Sequence, residues 1–354
     1  MNIDSALGIE TQDASDTRPI LVIPYVWIGD FVRGHTVVRV LRKRWPNRPV
    51  DLLVTRLCAP LVDYMPGVRA GVVFDLPRSQ LALARQRTLA AEFRKRNYAT
   101  ALVLPRTWKA ALAPALAGIP ERVGFFGEAR FGLINAMRWG ERQLPRFIDK
   151  NAVLALPDGA PRPPEWPVPQ LRVPSGEVAR WRQANGLGTG PAIALGPGSV
   201  GESKRWTYYP EAARLFAERG LDVWVVGGPG EKALAQDIVA AGGARVRDLT
   251  GTDLRNGVLA MAAASVAISN DSGLMHIAAA IGTPTMGIFG PTSPYLWAPL
   301  NGLAATVLQT RSKLPCQPCQ RTVCTMNDHR CMRDLAAQEV VEIAERVLAQ
   351  ISVR

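Results

Sequence analysis

The groups in this sequence best placed to do chemistry are an acid at the mouth of one helix and a lysine closing a glycine-rich loop. In the run Trp27-Ile28-Gly29-Asp30, Gly29 permits a tight turn after an apolar stretch, and Asp30 falls where a helix opens. A carboxylate there either caps the helix or faces a ligand as a general base. In GPGSVGESKRW (196–206), the amides around Gly198 and Ser199 join the ammonium of Lys204. Backbone donors with a nearby cation are what a phosphate needs. The G-K-[ST] ending of a P-loop is missing, so the loop taken alone reads equally as an exposed turn with solvated charges.

In VVGGPGEKA (225–233) an apolar run enters glycines that let a ligand approach the backbone. Glu231 is placed there either to accept ribose hydroxyls or to complement the positive end of a helix. The run SNDSGLMHIAAAIGTPTMGIFGPTSP (269–294) is the most specific. A helix from about Leu274 offers free N–H groups to a pyrophosphate, with Ser272 and Gly273 as contacts. Asp271 beside a phosphate calls for a loop-holding role or a cation partner, and His276 either assists the pyrophosphate or packs in the helix. Four of the five cysteines, Cys316, Cys319, Cys324 and Cys331, are spaced C-x2-C-x4-C-x6-C with His329 among them. Zinc, a redox-labile pair and reduced thiols all stay open for this segment, whose place suits a loop clamp rather than catalysis.

The apolar pattern supplies elements to carry these loops. Strands are predicted over 20–26, 50–55, 71–76 and 100–104, with helices over 30–44 and 79–96, which makes one doubly wound domain. Seven prolines within 156–174 forbid a continuous helix or central strand. Beyond them, strands over 192–197, 221–228, 265–270 and 283–290 alternate with helices near 208–219, 230–241 and 254–263, and residues 335–351 are amphipathic at a helical period. The expected organisation is a disordered tail (1–18), an acceptor-binding domain (19–158), a Pro-rich linker (159–175), a nucleotide-sugar domain (176–334) and a closing helix (335–354). The fold class is α/β, with two doubly wound, Rossmann-like parallel sheets facing a cleft, and ligands in such sheets sit beyond the carboxyl ends of the strands.

A composition of 47% hydrophobic and 20% charged residues, with no apolar run long enough to span a bilayer, excludes an integral membrane protein. The first nineteen residues lack the basic and apolar regions of a signal peptide, so a cytoplasmic protein is expected. Of the net charge of +12, most falls in residues 1–160, where 23 Lys and Arg stand against 14 Asp and Glu. That surplus favours an anionic partner such as an acidic sugar or lipid headgroup. No nucleic-acid-binding motif accompanies it, so nucleic acid is not expected.

The WIGD turn, the SKRW loop, the NDSGLMHIAAAIGTPTMGIFGPTSP block and the segment 102–135 together resemble glycosyltransferase family 9, the ADP-heptose:lipopolysaccharide heptosyltransferases, and above all those that add the second heptose. The likeness runs from Pro19 to the C-terminal helix. It implies a GT-B fold with the acceptor domain first. It further implies Asp30 as the base for the acceptor hydroxyl, Lys204 as the cation on the leaving diphosphate, and Glu231 near the adenosine ribose. Asp271, Ser272, Gly273 and His276 fall on the family's phosphate and sugar block. Arg106, Lys109, Arg122 and Arg130 lie in the shared segment, where charge suits them to an acidic Kdo or phosphate group of the acceptor.

The activity so implied is inverting transfer from ADP-L-glycero-D-manno-heptose to the heptose/Kdo inner core of lipopolysaccharide, with no cofactor and no metal. The acceptor is an anionic lipid-linked oligosaccharide, reached by peripheral contact with the cytoplasmic face of the inner membrane. Three alternatives remain: transfer to another core position, a nucleotide-sugar epimerase on the same fold, and a non-enzymatic anionic-lipid binding protein. The epimerase would need acids and a histidine around the sugar. The lipid-binding reading leaves the phosphate-type loops without a task.

Overall fold

A computed structural model of the chain describes residues 15–75, 82–251, 253–300, 305–310, 314–326 and 328–352. Residues 1–14 of the expected tail, residue 76 of the third expected strand and residues 79–81 of the helix after it lie outside the described residues. The chain forms two compact bodies that divide between Pro169 and Gln170, inside the Pro-rich stretch.

The first body runs β1 (Ile20–Ile23), α1 (Ile28–Arg44), β2 (Val50–Val54), α2 (Ala59–Val62), β3 (Val68–Val73), α3 (Leu83–Arg96), β4 (Thr100–Val103), α4 (Trp108–Ala117), β5 (Glu121–Phe125), β6 (Ala136–Arg138) and α5 (Phe147–Ala152). Its six strands are all parallel in the order β3-β2-β1-β4-β5-β6. The central strands read as unbroken apolar runs because both faces are covered: every residue of β1 is buried. α1 carries Asp30 in its first turn and Arg42, Lys43 and Arg44 in its last, each sign matched to the helix dipole. One charge is fully buried in this sheet. Asp51 on β2 accepts from Arg69 at 2.8 and 2.6 Å and from the Tyr98 hydroxyl at 2.7 Å, so its lone pairs are satisfied without water.

The second body runs α6 (Ser175–Ala184), β7 (Ala192–Gly196), α7 (Tyr209–Glu218), β8 (Asp222–Val225), α8 (Lys232–Gly242), β9 (Val246–Asp248), α9 (Leu254–Ala263), β10 (Val266–Asn270), α10 (Gly273–Ile281), β11 (Thr285–Ile288), α11 (Pro294–Trp297), β12 (Ala305–Leu308), α12 (Arg330–Arg333) and α13 (Ala337–Ser352). Its sheet, in the order β12-β11-β10-β7-β8-β9, is again six-stranded and parallel. The last helix belongs to this core: Val340, Val341 and Ala344 of α13 are fully buried with Phe216, Ile193 and Ile288, and the Trp206 indole donates to the Leu335 carbonyl at 2.8 Å.

The Pro-rich stretch is fastened on each side. Thr36 donates to the Pro167 carbonyl and Arg39 to that of Val168, each at 2.8 Å, and the buried Trp166 donates to Asp149 at 2.8 Å. Past the division, the Leu171 amide donates to Ala280 at 2.8 Å and α6 begins at Ser175. Among the described residues no helix is long and apolar enough to cross a membrane.

Candidate active site

In both sheets the order in which strands are added reverses at the first strand, between β1 and β4 in one body and between β7 and β10 in the other. Such switch points open a crevice at the carboxyl ends of the strands. Asp30, Arg106 and Lys109 follow the strands that flank the first of these places, and Lys204 and Asp271 those that flank the second.

In the second body, β7 ends at Gly196, where an added Cβ would lie 2.7 Å from the Ser269 hydroxyl. Only glycine lets the two strands approach so closely. The loop after β7 is tied at both ends by one buried amide: Asn270 Nδ2 donates to the Pro197 carbonyl at 2.7 Å, and its Oδ1 accepts from the Trp206 amide at 3.1 Å. Lys204 projects from this loop and its Nζ meets Asp271 Oδ2 at 2.9 Å. Asp271 precedes Ser272, the N-cap of α10, so the pair holds an ammonium at the helix mouth. The Ser272 hydroxyl is turned back to Ser269 Oγ at 3.0 Å, which leaves the backbone amides from Gly273 onward as the donors this end offers. His276 is 4% exposed inside the first turns of α10 and packs with the helix.

Glu231 sits in a notch made by two glycines. A Cβ on Gly198 would lie 2.7 Å from its Cγ, and one on Gly227 would lie 2.9 Å from its Cβ. Its Oε2 accepts from the Gly228 amide at 2.8 Å, so the carboxylate shapes the turn after β8. Ser199 turns its hydroxyl to the Gly201 carbonyl at 3.1 Å within the same loop.

The segment carrying the cysteines grips the residue before Lys204. The Ser203 amide donates to the Thr322 carbonyl at 3.1 Å, its hydroxyl donates to the Arg321 carbonyl at 2.5 Å, and its carbonyl accepts from His329 Nε2 at 2.7 Å. All five cysteines are free thiols, and Cys331 is pushed up to about 11 by burial and by the neighbouring Cys319, Cys324 and Cys316. The four clustered thiols with Asp328 and His329 line a cavity of about 340 Å³. Among the described residues no group of three or more His, Cys, Asp or Glu side chains is arranged to hold a metal ion.

In the first body, Asp30 lies in the opening turn of α1 and forms an ion pair with Arg33 one turn on. The Arg33 guanidinium is 4.5 Å over the Phe147 ring, which in turn lies 5.1 Å from the Tyr25 ring. This packing holds the carboxylate from behind. Burial pushes the Tyr25 hydroxyl up to about 12, with Glu141 and Asp30 adding to the rise and Arg106 and Arg130 opposing it. These charges therefore share one neighbourhood. Arg106 pairs with Glu141 at 2.7 Å and is half exposed, and Lys109 stands in the first turn of α4.

Two of the four expected acceptor cations have other roles. Arg130 is 1% exposed, and its guanidinium donates to the Phe125 carbonyl at 2.6 Å and to the Pro105 carbonyl at 2.6 Å. Arg122 donates to the Leu133, Ile119 and Gly132 carbonyls at 2.8, 2.5 and 3.2 Å. A guanidinium carries five donors in a fixed fork, which suits it to gathering the carbonyls of a turning chain. Both residues shape the loops around β5 instead of presenting charge to a ligand. Charge and location in the sequence do not separate the two roles. Tyr25, Glu141 and Asn270 were not anticipated; Asn270 had a signal, since it stands directly before the Asp271-Ser272-Gly273 turn.

Residues 86–329 match the model of glycosyltransferase family 9 (heptosyltransferase). The chain is 32% identical to lipopolysaccharide heptosyltransferase 2 of Escherichia coli strain K12, over 94% of this chain and 99% of that protein. It is 32% identical to lipooligosaccharide heptosyltransferase 2 of Haemophilus influenzae, over 81% and 88%. The solved structure of E. coli ADP-heptose LPS heptosyltransferase II superposes with a TM-score of 0.83 at 31% identity, covering 94% of this chain and 99% of that one. The shared motifs, the near-complete alignment and the common fold together place this chain in glycosyltransferase family 9, the heptosyltransferases.

Proposed function

We propose that the chain transfers heptose from ADP-L-glycero-D-manno-heptose to the heptose/Kdo inner core of lipopolysaccharide, as a heptosyltransferase of the second type. The observation that carries this reading is that each body brings one charged group to a helix mouth at its own switch point: the Asp30 carboxylate on α1 in the first, and the Lys204 ammonium at α10 in the second. The relatives whose names specify the second heptosyltransferase align over nearly the whole chain, which supports the choice of donor and acceptor.

Asp30 removes the proton from the acceptor hydroxyl as that oxygen attacks the anomeric carbon, and ADP leaves from the opposite face, so a single displacement inverts the centre. Charge developing on the diphosphate is met by Lys204 and the α10 amides. Gly198 and Gly227 make room for Glu231, which lies on the nucleotide side for the ribose. Arg106 and Lys109 face the anionic acceptor. With charge neutralised in this way, the step needs no divalent ion. The enzyme works at the cytoplasmic face of the inner membrane, in peripheral contact with it, because its acceptor is lipid-linked.

Incubation with ADP-heptose and core acceptors bearing no heptose or one, followed by mass measurement, tests the assignment. A gain of one heptose only on the one-heptose acceptor is the expected result. Addition to the heptose-free acceptor, or ADP-heptose converted with no acceptor modified, overturns it.

A further inference from the structure

Three aromatic side chains stand exposed beside the acceptor half-site. Phe126 follows β5, Trp139 follows β6, and Phe131 lies in the connection between them. Phe131 and Trp139 are 63% and 65% exposed. The Phe126 and Trp139 rings are stacked at 4.8 Å with planes 14° apart, and Phe131 leans on Phe126 at 5.6 Å. Two aromatics stacked flat with a third tilted against them form an exposed apolar surface, and such a surface calls for an occupant.

The backbone beneath is fixed at a cost. Glu128 and Ala129 both adopt positive φ, at 44° and 49°, which non-glycine residues rarely do. The Glu128 carboxylate accepts from the Trp108 amide at 3.1 Å, and the buried Arg130 clamps Phe125 to Pro105. Gly127 leaves room for Arg106, whose Cβ an added side chain would meet at 2.7 Å. Strain that the surroundings over-determine gathers where a surface must keep one shape.

Polar groups continue from the platform to the carboxylate. Glu141, two residues past Trp139, pairs with Arg106, and both lie in the electrostatic neighbourhood of Tyr25 with Asp30. Because β5 and β6 are the second and third strands from β1, the platform stands about 10 to 14 Å along the sheet edge from the strand that delivers Asp30. That is the reach of a short run of linked pyranose rings. A pyranose offers an apolar C–H face to an aromatic plane while its rim hydroxyls need charged or amide partners, which Arg106 and Glu141 supply. The rim carries both signs, with Arg106 held against Glu141, which suits the hydroxyls of a sugar better than the uniform charge of an anionic bilayer.

We infer that Phe126, Phe131 and Trp139 form a stacking platform for a pyranose ring of the acceptor oligosaccharide, one or more residues removed from the ring whose hydroxyl meets Asp30. This inference rests on the proposed transferase reading. Two readouts on the full-length protein keep the two apart. The first is saturation-transfer NMR of a deacylated, water-soluble one-heptose core oligosaccharide without donor, with wild type, Trp139→Ala and Phe131→Ala. The second is steady-state transfer to the same acceptor. Each variant should weaken acceptor binding and raise the acceptor KM about tenfold, with kcat and the ADP-heptose KM held within about twofold and Trp139→Phe near wild type. Unchanged acceptor binding in both alanine variants overturns the platform, and so does wild type that fails to bind the oligosaccharide. A defect seen only with acylated acceptor in anionic vesicles, together with weaker vesicle flotation, overturns it in favour of membrane contact. Wild type that binds the oligosaccharide through Trp139 yet transfers no heptose leaves the platform standing and removes the transferase reading.

Discussion

The two sheets have the same strand order read outward from their switch points, and they differ in the connection that leaves the first strand. In the first body β1 passes through four residues into α1, a 17-residue helix that presents an acid. In the second, β7 passes into a loop of twelve residues, tied at both ends by Asn270, that presents a cation. A short connection can only offer what the helix itself carries at its mouth, whereas a long one can bring a side chain from outside to the mouth of another helix. The same scaffold thus places a carboxylate at one crevice and an ammonium at the other, by loop length and not by fold.

The sharpest way to break this contrast is at Asp30. Asp30→Asn should lower kcat on the order of 100- to 1000-fold while calorimetry finds ADP binding unchanged. Loss of ADP affinity in that variant would mean that the first body is not confined to the acceptor.

Acid should separate wild type from one variant of the first body. Burial drives His35 down to about 4 from 6.5, and its Nε2 donates to the Pro66 carbonyl at 2.8 Å, so the folded protein keeps the ring neutral. The unfolded chain binds that proton more readily, so the stabilisation is complete above pH 6.5 and is lost as pH falls toward 4. The loss amounts to about 3 kcal/mol from this group. Thermal melts from pH 7 to 4 should show it, and His35→Gln should flatten the slope; an equal slope in the variant would assign acid lability elsewhere.

A smaller effect is expected at Lys204. Lys204→Met should reduce kcat/KM for ADP-heptose about 10- to 100-fold and weaken ADP binding, with the acceptor KM unmoved. If the variant bound ADP normally, the ammonium would serve Asp271 alone.

Much of this was open to sequence reasoning, because parallel strands covered on both faces leave long apolar runs such as 192–197 and 265–270, and because phosphate-type turns need glycine and serine in order. Several strands toward the sheet edges escaped notice. β6 and β9 have three residues each, too few to show a period, and β5 opens with Glu121 and Arg122, which read as surface. α6 was hidden inside a polar run whose buried anchor is Trp181. Within the site, Asp271 with Lys204 was foreseeable, since an acid next to a phosphate turn demands a cation. The use of Arg122 and Arg130 was not, because which carbonyls a guanidinium gathers depends on how a loop turns back, and residue type does not encode that.

The grip on Ser203 reaches beyond holding a loop. All three of its hydrogen-bonding groups are held by a single stretch of chain rich in thiols, and the next residue bears the ammonium. The ammonium at the mouth of α10 therefore stands one peptide link from a residue whose backbone and side chain are both anchored from a distant part of the sequence.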